Sequence, residues 1–240
     1  MTTSAKYSNH GHYIKEGWSR EPKESFKAAW NIISSSIDKD VAKVLDVGCA
    51  TGEFVGFLSK CMPEAHFVGV DVTEDLLEEG RRLLPQAEFV NASALALPSE
   101  LKDFDIVCAI GCMSIFDETQ IEAFWDNLLG AVRPGGLILV LSPLNEFGVD
   151  AMIRHRKRPN GAAGDWESGW NIFSQDTIRE ILQARGIDLV LERFELPIDL
   201  PPSADPIRTW TMATEKRERQ LTNGLKLLVD HYFMVCKVKD

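Results

Sequence analysis

Between residues 41 and 141, short and almost uninterrupted apolar runs alternate with amphipathic segments of helical period, a rhythm few architectures accommodate. The predicted strands are 41–47, 67–72, a short one starting at Glu88, 104–110 and 137–141. Between them lie predicted helices over 52–61, 74–84 and 118–132. Pro85 stops the second of these, and Arg133-Pro134-Gly135-Gly136 stops the third. A strand that is apolar throughout must be covered on both faces. The alternation therefore predicts a parallel sheet with helices on either side.

The flanks follow other patterns. Phe26, Ala29, Trp30 and Ile33 recur at helical spacing, so one or two helices are predicted between Tyr7 and Asp40. After Pro143 the rhythm breaks. Leu144 to Asn171 carries Gly161, Gly164 and Gly169, the basic run His155-Arg156-Lys157-Arg158, and Trp166 and Trp170. A connection of that length without period is a functional lid or a disordered loop. Order resumes at Ser174, a predicted N-cap, with a helix over 175–185 ended by Gly186 and a sixth strand over 188–196. Four prolines between Pro197 and Pro206 mark a loop. Segments 208–214 and 232–238 alternate like strands and predict a closing hairpin; residues 217–228 are open to a helical reading as well. The division expected is a helical N-terminal cap, 1–40, and one α/β domain, 41–240, carrying 144–172 as a substrate-side insertion.

Composition narrows the class. With 240 residues and 45% hydrophobic content, the chain can bury one sizeable core. A net charge of −10 argues against a broad nucleic-acid surface, which needs clustered Lys and Arg. Met1 to Gly11 is polar and lacks the apolar stretch of a secretory signal. No run approaches the roughly 20 apolar residues of a membrane span, so neither nucleic acid nor membrane is expected as a partner. Five cysteines, an odd number without a signal, fit a reducing cytoplasm. Cys108 and Cys112 form one C-x-x-x-C pair, but no His or Cys stands close enough in sequence to complete a metal site, so both are expected to be strand-associated packing residues.

The chemistry is concentrated in Val44-Leu45-Asp46-Val47-Gly48-Cys49-Ala50-Thr51-Gly52-Glu53. Its glycines fall at a strand-to-helix turn, where a missing Cβ lets a ligand approach the backbone. The helix behind them offers free N–H donors and a positive dipole end. Asp71 ends the second strand 19 residues beyond Gly52, where an acid can accept bonds from ribose hydroxyls. The turn, the helix and the strand-end acid together point to an adenosine-type cofactor. The G-x-G-x-x-G spacing of a dinucleotide site is missing, because Gly48 and Gly52 are separated by three residues.

These stretches resemble the class I S-adenosylmethionine-dependent methyltransferases. VLDVGCATGEF is similar to their first motif and GVDVTEDLLEEG to their second. FVNASALALP at 89–98, FDIVCAIGCMSIF at 104–116 and VRPGGLILVLSP at 132–143 resemble the third, fourth and fifth, in the same order across 41–143. The resemblance implies a Rossmann-like, doubly wound, mostly parallel seven-stranded sheet with an antiparallel C-terminal strand. It implies S-adenosylmethionine as cofactor and S-adenosylhomocysteine as product. Carried over by position, Asp46, Gly48, Cys49, Ala50 and Gly52 would line the methionine half of the cofactor. Asp71 would hold the ribose hydroxyls, with Val72 against the adenine. Ser93 and Ala94 would lie at the adenine edge, and Ile110, Gly111 and Met113 would close the fourth-strand side. One departure stands out: the family usually has an acid where this chain has Ser93, a neutral and weaker acceptor for the adenine amino group. Ser93 is open to a helix-capping role, and Met113 to a core role.

The resemblance leaves the acceptor open. A small molecule, acidic or aromatic, fits the acidic chain and the inserted 144–172 segment. Competing readings are a protein or nucleic-acid methyltransferase and a non-catalytic S-adenosylmethionine-binding module. An aminopropyl transferase would favour extra pocket carboxylates, against which the basic 155–158 run argues. Ile110-Gly111-Cys112-Met113 lacks the Asn/Asp-Pro-Pro-aromatic sequence common in RNA amino-group methylation. Should a general base be needed, the candidates are His155, His10, His12 and His231; His155 ranks first because its loop follows the fifth strand. His66, just before a strand, is expected to be structural. Tyr13, Trp18, Trp166 and Trp170 are expected either to line the acceptor pocket or to anchor its cover.

Overall fold

The computed structural model describes residues 13–14, 18, 21–37, 43–156, 162–195, 210–213, 219–222 and 228–239. Its helices are α1 (Glu24–Ser36), α2 (Glu53–Cys61), α3 (Glu74–Leu83), α4 (Ile121–Ala131) and α5 (Gln175–Gln183). The five parallel strands are β1 (Lys43–Val47), β2 (His66–Asp71), β3 (Glu88–Asn91), β4 (Phe104–Ile110) and β5 (Val132–Asn145). Beyond them come β6 (Arg154–His155), β7 (Glu167–Ser168), β8 (Phe173–Ser174), β9 (Asp188–Phe194), β10 (Trp210–Ala213), β11 (Arg219–Thr222) and β12 (Leu228–Lys237). The central order is β3-β2-β1-β4-β5-β12-β9, with β12 antiparallel to β5, to β9 and, at its start, to β11. The doubly wound, mostly parallel arrangement with an antiparallel C-terminal strand expected from the sequence is the one the chain adopts, but the sheet counts ten strands and not seven, because β8, β10 and β11 add to it.

Two apolar layers sandwich this sheet. On one face Phe26, Ala29, Ile32 and Ile33 of α1 join Phe54, Val55 and Leu58 of α2, against Leu137, Leu139, Leu141, Phe233 and Val235 of the sheet. On the other, Phe124, Trp125 and Leu128 of α4 and Ile178 and Leu182 of α5 meet Val107, Ile138, Val140, Tyr232 and Met234. Alternate residues of β5 and β12 thus feed opposite cores, which is why both strands are apolar throughout. Burying each large side chain of α1 contributes roughly 1.5–3 kcal/mol. The helix is accordingly part of the sheet's own packing, and its removal would uncover a core face.

Three elements differ from their sequence expectation, each for a local reason. β5 begins at Val132 and not at Leu137, because Val132 pairs with Phe104 and the register then shifts before Ile106 meets Leu137. The Pro-Gly-Gly signal that ends α4 therefore sits in a bulged, extended lead-in, where Gly135 N–H donates to the Val238 carbonyl (2.9 Å). α4 starts at Ile121, after a turn in which Asp117 accepts from the Thr119 N–H (3.0 Å). In the tail, β10 pairs with β11 and β11 with β12, so 219–222 is strand and not helix. Ser174 does cap α5: its Oγ accepts from Thr177 N–H at 3.1 Å.

The 144–172 segment is rooted by three buried or anchored polar groups. Asn145 accepts from Phe147 and Val149 N–H (2.8 and 3.1 Å), and Asp150 accepts from the Thr177 hydroxyl (2.6 Å). Asn171, fully buried, accepts from Ile153 N–H (2.8 Å) and donates to the Phe116 carbonyl (2.9 Å). Its own N–H donates to Ser114 O (2.7 Å), so one residue ties the insertion to the loop after β4. Asn171→Ala would strand a buried N–H and a buried carbonyl, an expected cost of roughly 2–4 kcal/mol. Thermal unfolding should register this as a drop of about 5–15 °C.

Candidate functional site

All parallel strands end at one edge of the sheet, and the chain reverses there into loops that carry the predicted site residues. Gly48 follows β1 with φ +78°, and a Cβ on it would lie 2.7 Å from the Cys112 Cβ, so only glycine lets the β1 and β4 loops close on each other. Gly48 and Cys49 N–H both donate to the Val70 carbonyl (2.7 and 3.0 Å), which bends the turn toward β2. Ala50 is held at φ 50°, unusual for a residue with a Cβ and worth about 1–2 kcal/mol of strain. Its N–H donates to Asp71 Oδ2 at 3.0 Å, which offsets that strain.

Asp71 links two loops. Oδ2 takes the Ala50 N–H while Oδ1 takes the Thr73 N–H at 2.9 Å, so the carboxylate is fixed between the turn after β1 and the start of α3. Each oxygen keeps a further lone pair for a ligand hydroxyl. Next to it Val72 is 54% exposed, an apolar side chain left uncovered at a strand end. Behind the turn, Asp46 is only 3% exposed. Burial, and then the charge of neighbouring Asp71, raise its pKa to about 7. The turn thus holds a buried acid whose ionisation would be favoured by any cation arriving beside it.

The remaining predicted residues are distributed as follows. The Ser93 hydroxyl accepts from Leu95 N–H (3.1 Å) and Ser93 bridges to Ala96, so it caps a local turn while staying partly accessible. Ala94 is buried beneath it. Ile110 ends β4 half-buried, and a Cβ on Gly111 would meet nothing within 4 Å, so open space lies beside that backbone. Met113 is fully buried in the core, and Cys49 is nearly so. Cys112 donates its thiol to the Val47 carbonyl (3.3 Å) and Cys108 is fully buried, in keeping with packing roles. Burial raises the Cys112 thiol well above its ordinary range.

Two contacts were invisible in the sequence. Trp18 Nε1 donates to Thr51 Oγ1 (3.0 Å) within the glycine turn, and its ring fills the space above Gly56. A lone Trp in the polar N-terminal stretch was the available signal. Trp18→Phe keeps an aromatic side chain but deletes that donor and the indole's far edge over Gly56; cofactor affinity is expected to fall a few-fold, measured by calorimetry. The second contact is in the insertion. His155 and Glu167 face each other across the β6–β7 pair, Nε2 to Oε2 3.8 Å, and His155 Nδ1 is buried without a hydrogen-bond partner. His231 is exposed on β12, and exposed His66 lies 3.6 Å from Glu88 at the opposite edge of the sheet. His10 and His12 lie outside the described residues. Among the described residues, no three His, Cys, Asp or Glu side chains are grouped to hold a metal, and no helix is long and apolar enough to cross a membrane.

Comparison with known proteins agrees with this geometry. A family model described as a methyltransferase domain matches residues 44–136. The chain is 30% identical to a trans-aconitate 2-methyltransferase of Azoarcus sp. (strain BH72), over 51% of its own length and 47% of the relative's. It is 28% identical to a fatty-acid O-methyltransferase of Mycolicibacterium smegmatis, over 86% of its own length and 71% of the relative's. A solved S-adenosylmethionine-dependent methyltransferase from Clostridium acetobutylicum shares the fold, with a TM-score of 0.59 at 9% identity over 96% and 97% of the two chains. The chain spans about half the length of the first of these relatives. The strand order is the fold shared with these methyltransferases, and the methyltransferase-domain model matches across β1 to the start of β5, including the turn at the end of β1.

Proposed function

We propose that the chain binds S-adenosylmethionine at the carboxyl edge of β1, β2 and β4 and transfers its methyl group to a small carboxylic acid. The carrying observation is the pair of carboxylates there: Asp71 fixed by two backbone N–H groups, and Asp46 buried with its pKa raised to about 7. Such a pair suits a ligand that offers ribose hydroxyls at one end and positive charge at the other. The uncovered Val72 and the open space beside Gly111 fit the adenine and the remaining length of the same ligand.

Each residue then has a defined task. Asp71 accepts the ribose hydroxyls, and Val72, Ser93 and Ala94 border the adenine. Asp46 and the backbone of Gly48, Cys49, Ala50 and Gly52 hold the methionine half, with Ile110 and Gly111 on the far side. Met113 acts from the core by supporting that wall. When bound, S-adenosylmethionine supplies a methyl group on a positively charged sulfur, which leaves as a neutral thioether when the acceptor takes the methyl. The protein's work is to hold donor and acceptor in line and keep water out, which contributes up to ~7–11 kcal/mol in well-oriented model systems.

A carboxylic acid acceptor is supported by two relatives whose names specify acids, trans-aconitate and a fatty acid. A carboxylate is already anionic at neutral pH and needs no base. A hydroxyl acceptor is the second reading, favoured by His155, whose unpartnered Nδ1 and Glu167 neighbour suit a base. The first test is calorimetry with S-adenosylmethionine, S-adenosylhomocysteine and NAD, followed by a methyl-transfer screen of small acids. Saturable binding of the first two is expected; binding of NAD alone would overturn the proposal. Rate against pH then separates the acceptors. With S-adenosylmethionine kept saturating, the rate for an acid stays level across the histidine range and survives His155→Ala, whereas a hydroxyl acceptor makes it fall with that residue.

A further inference from the structure

Trp170 is presented to solvent in a backbone conformation that glycine would adopt more easily. Between the Arg154–Ser168 pair and the Ala151–Ile172 bridge, one strand advances three residues and the other four. The ladder therefore carries a one-residue bulge, taken up at Gly169-Trp170, where φ is 147° and 63°. A left-handed tryptophan is strained, and such strain persists only where its surroundings hold it. They do so here: Gly169 N–H donates to the Ile153 carbonyl (3.1 Å), and Asn171 N–H to Ser114 O (2.7 Å). The next three residues, Asn171, Ile172 and Phe173, are buried, yet Trp170 is 60% exposed and so anchors nothing. The other indoles differ. Trp18 is anchored on Thr51, and the Trp166 ring is occupied by Arg154 and Arg156, 5.9 and 5.0 Å from its centre.

The neighbour of that indole sets its place. Asn171 bonds to Ser114 and Phe116, in the loop that leaves β4 just past Gly111, whose backbone borders open space. Met152, also exposed, lies between Ala151, bridged to Ile172, and Ile153, whose N–H bonds to Asn171 (2.8 Å). Exposed Phe147 and Val149 hang by their N–H groups from Asn145 at the end of β5. These four apolar side chains thus stem from the carboxyl ends of β4 and β5, on the side where an acceptor must reach the cofactor. The charges of the same segment oppose a heavily anionic ligand. Glu146, Asp150, Asp165 and Glu167 stand against Arg154, Arg156 and the titratable His155, and both arginines lie on Trp166. A polycarboxylate would be repelled here, whereas a hydrocarbon chain would cover apolar surface that water otherwise wets.

We propose that Trp170 is the platform for the apolar body of the acceptor, a monocarboxylic acid with a long hydrocarbon chain. This rests on the reading of a carboxylic acid acceptor and narrows it. The chain lies on the indole while the single carboxylate faces the cofactor, and Met152, Phe147 and Val149 extend the apolar surface. Trp170 is then a specificity residue, which selects the acceptor's body and takes no part in making the bond. A methylene fully withdrawn from water gains roughly fourfold in affinity, so a chain half covered on such a surface gains about twofold per carbon.

The test is calorimetry on the full-length protein saturated with S-adenosylhomocysteine, which allows acceptor binding without turnover. The probes are butanoate, octanoate, octanol and citrate. Octanoate is expected to bind at least about tenfold tighter than butanoate, and citrate not to saturate. Trp170→Gly removes the ring and suits the left-handed backbone, so its melting temperature should be unchanged or raised. Its octanoate affinity should fall about tenfold, with S-adenosylhomocysteine affinity unchanged as the check on the cofactor site. Trp170→Phe should recover part of the loss, and in turnover Trp170→Gly should raise KM for octanoate more than it lowers kcat. Absence of saturable octanoate binding, affinity indifferent to chain length, a preference for citrate, or full affinity in Trp170→Gly overturns the proposal. If acids are methylated all the same, the carboxylic acid reading survives that result. Methylation of octanol and of no acid, lost in Trp170→Gly, would instead keep Trp170 as the platform and overturn the acid reading.

Discussion

Asp71→Ala is expected to lower affinity for S-adenosylmethionine by at least about 100-fold. Two effects combine. The substitution deletes the acceptor for the ribose hydroxyls, and it releases Ala50 and Thr73, whose N–H groups donate to the two carboxylate oxygens at 3.0 and 2.9 Å. Hydrogen bonds to a charged group contribute about 1.5–3 kcal/mol each, so losing a ligand pair corresponds to roughly two to four decades in affinity. The released turn would also relax Ala50 from its left-handed conformation, so a modest fall in melting temperature is expected as well. Asp71→Asn separates the two effects, because an amide oxygen still accepts while the charge is gone. It should bind more weakly than wild type and better than the alanine variant. A folded Asp71→Ala protein with unchanged calorimetric affinity would sink the assignment.

Asp46→Asn should have the second large effect, with opposite signs for stability and for binding. The folded-state pKa of Asp46 is raised from 3.8 to about 7, so between those values the folded state binds a proton more tightly than the unfolded chain. Stability is therefore greatest below about pH 4 and falls as pH rises toward 7. The full loss is of order 4 kcal/mol. Asparagine removes the ionisation, so the variant should melt higher than wild type at pH 8 and about equally at pH 4. Binding runs the other way: a cation beside Asp46 holds it ionised. S-adenosylmethionine binding below pH 7 should release close to one proton, and affinity should weaken by up to tenfold per pH unit below that point. Asp46→Asn should abolish the proton release and lower affinity by roughly an order of magnitude or more. Calorimetry in two buffers of different ionisation enthalpy measures the release directly, and its absence in wild type would refute the account. Since Asp71 contributes to the raised value, Asp71→Asn should move the midpoint of release downward.

The parallel half of the fold was legible because its strands are buried on both faces and so lose all polar alternation. The glycine turn and Asp71 were legible for a different reason: backbone conformation and carboxylate position leave a mark in residue type and spacing. What stayed hidden depends on contacts between distant segments. The electrostatic link between Asp46 and Asp71 arises only when β1 and β2 lie side by side, which the register pairing Asp46 with Gly69 brings about. Asn171 gives no periodic signal, since its partners Ile153 and Phe116 come from separate loops. The true start of β5 was masked by Arg133-Pro134-Gly135-Gly136, which ends a helix and begins a bulged strand at once. Trp18 met Thr51 across 33 residues with nothing regular between them.

The position of β12 bears on how the molecule is made. It is the last strand among the described residues, yet it lies inside the sheet, bonded to β5 from Leu137 to Leu144 and to β9 from Asp188 to Phe194. A ribosome that has delivered everything up to β9 has therefore produced two strands that cannot yet meet. Until residues 228–237 emerge, both present open hydrogen-bonding edges, and the apolar faces meant for Phe233 and Met234 stay wet. The sheet closes in one late event, and closing contacts of such long sequence separation are slow to form. Nascent chains stalled before Leu228 should accordingly be the species most in need of chaperones, and a premature stop there should yield aggregate in place of a shortened but folded protein.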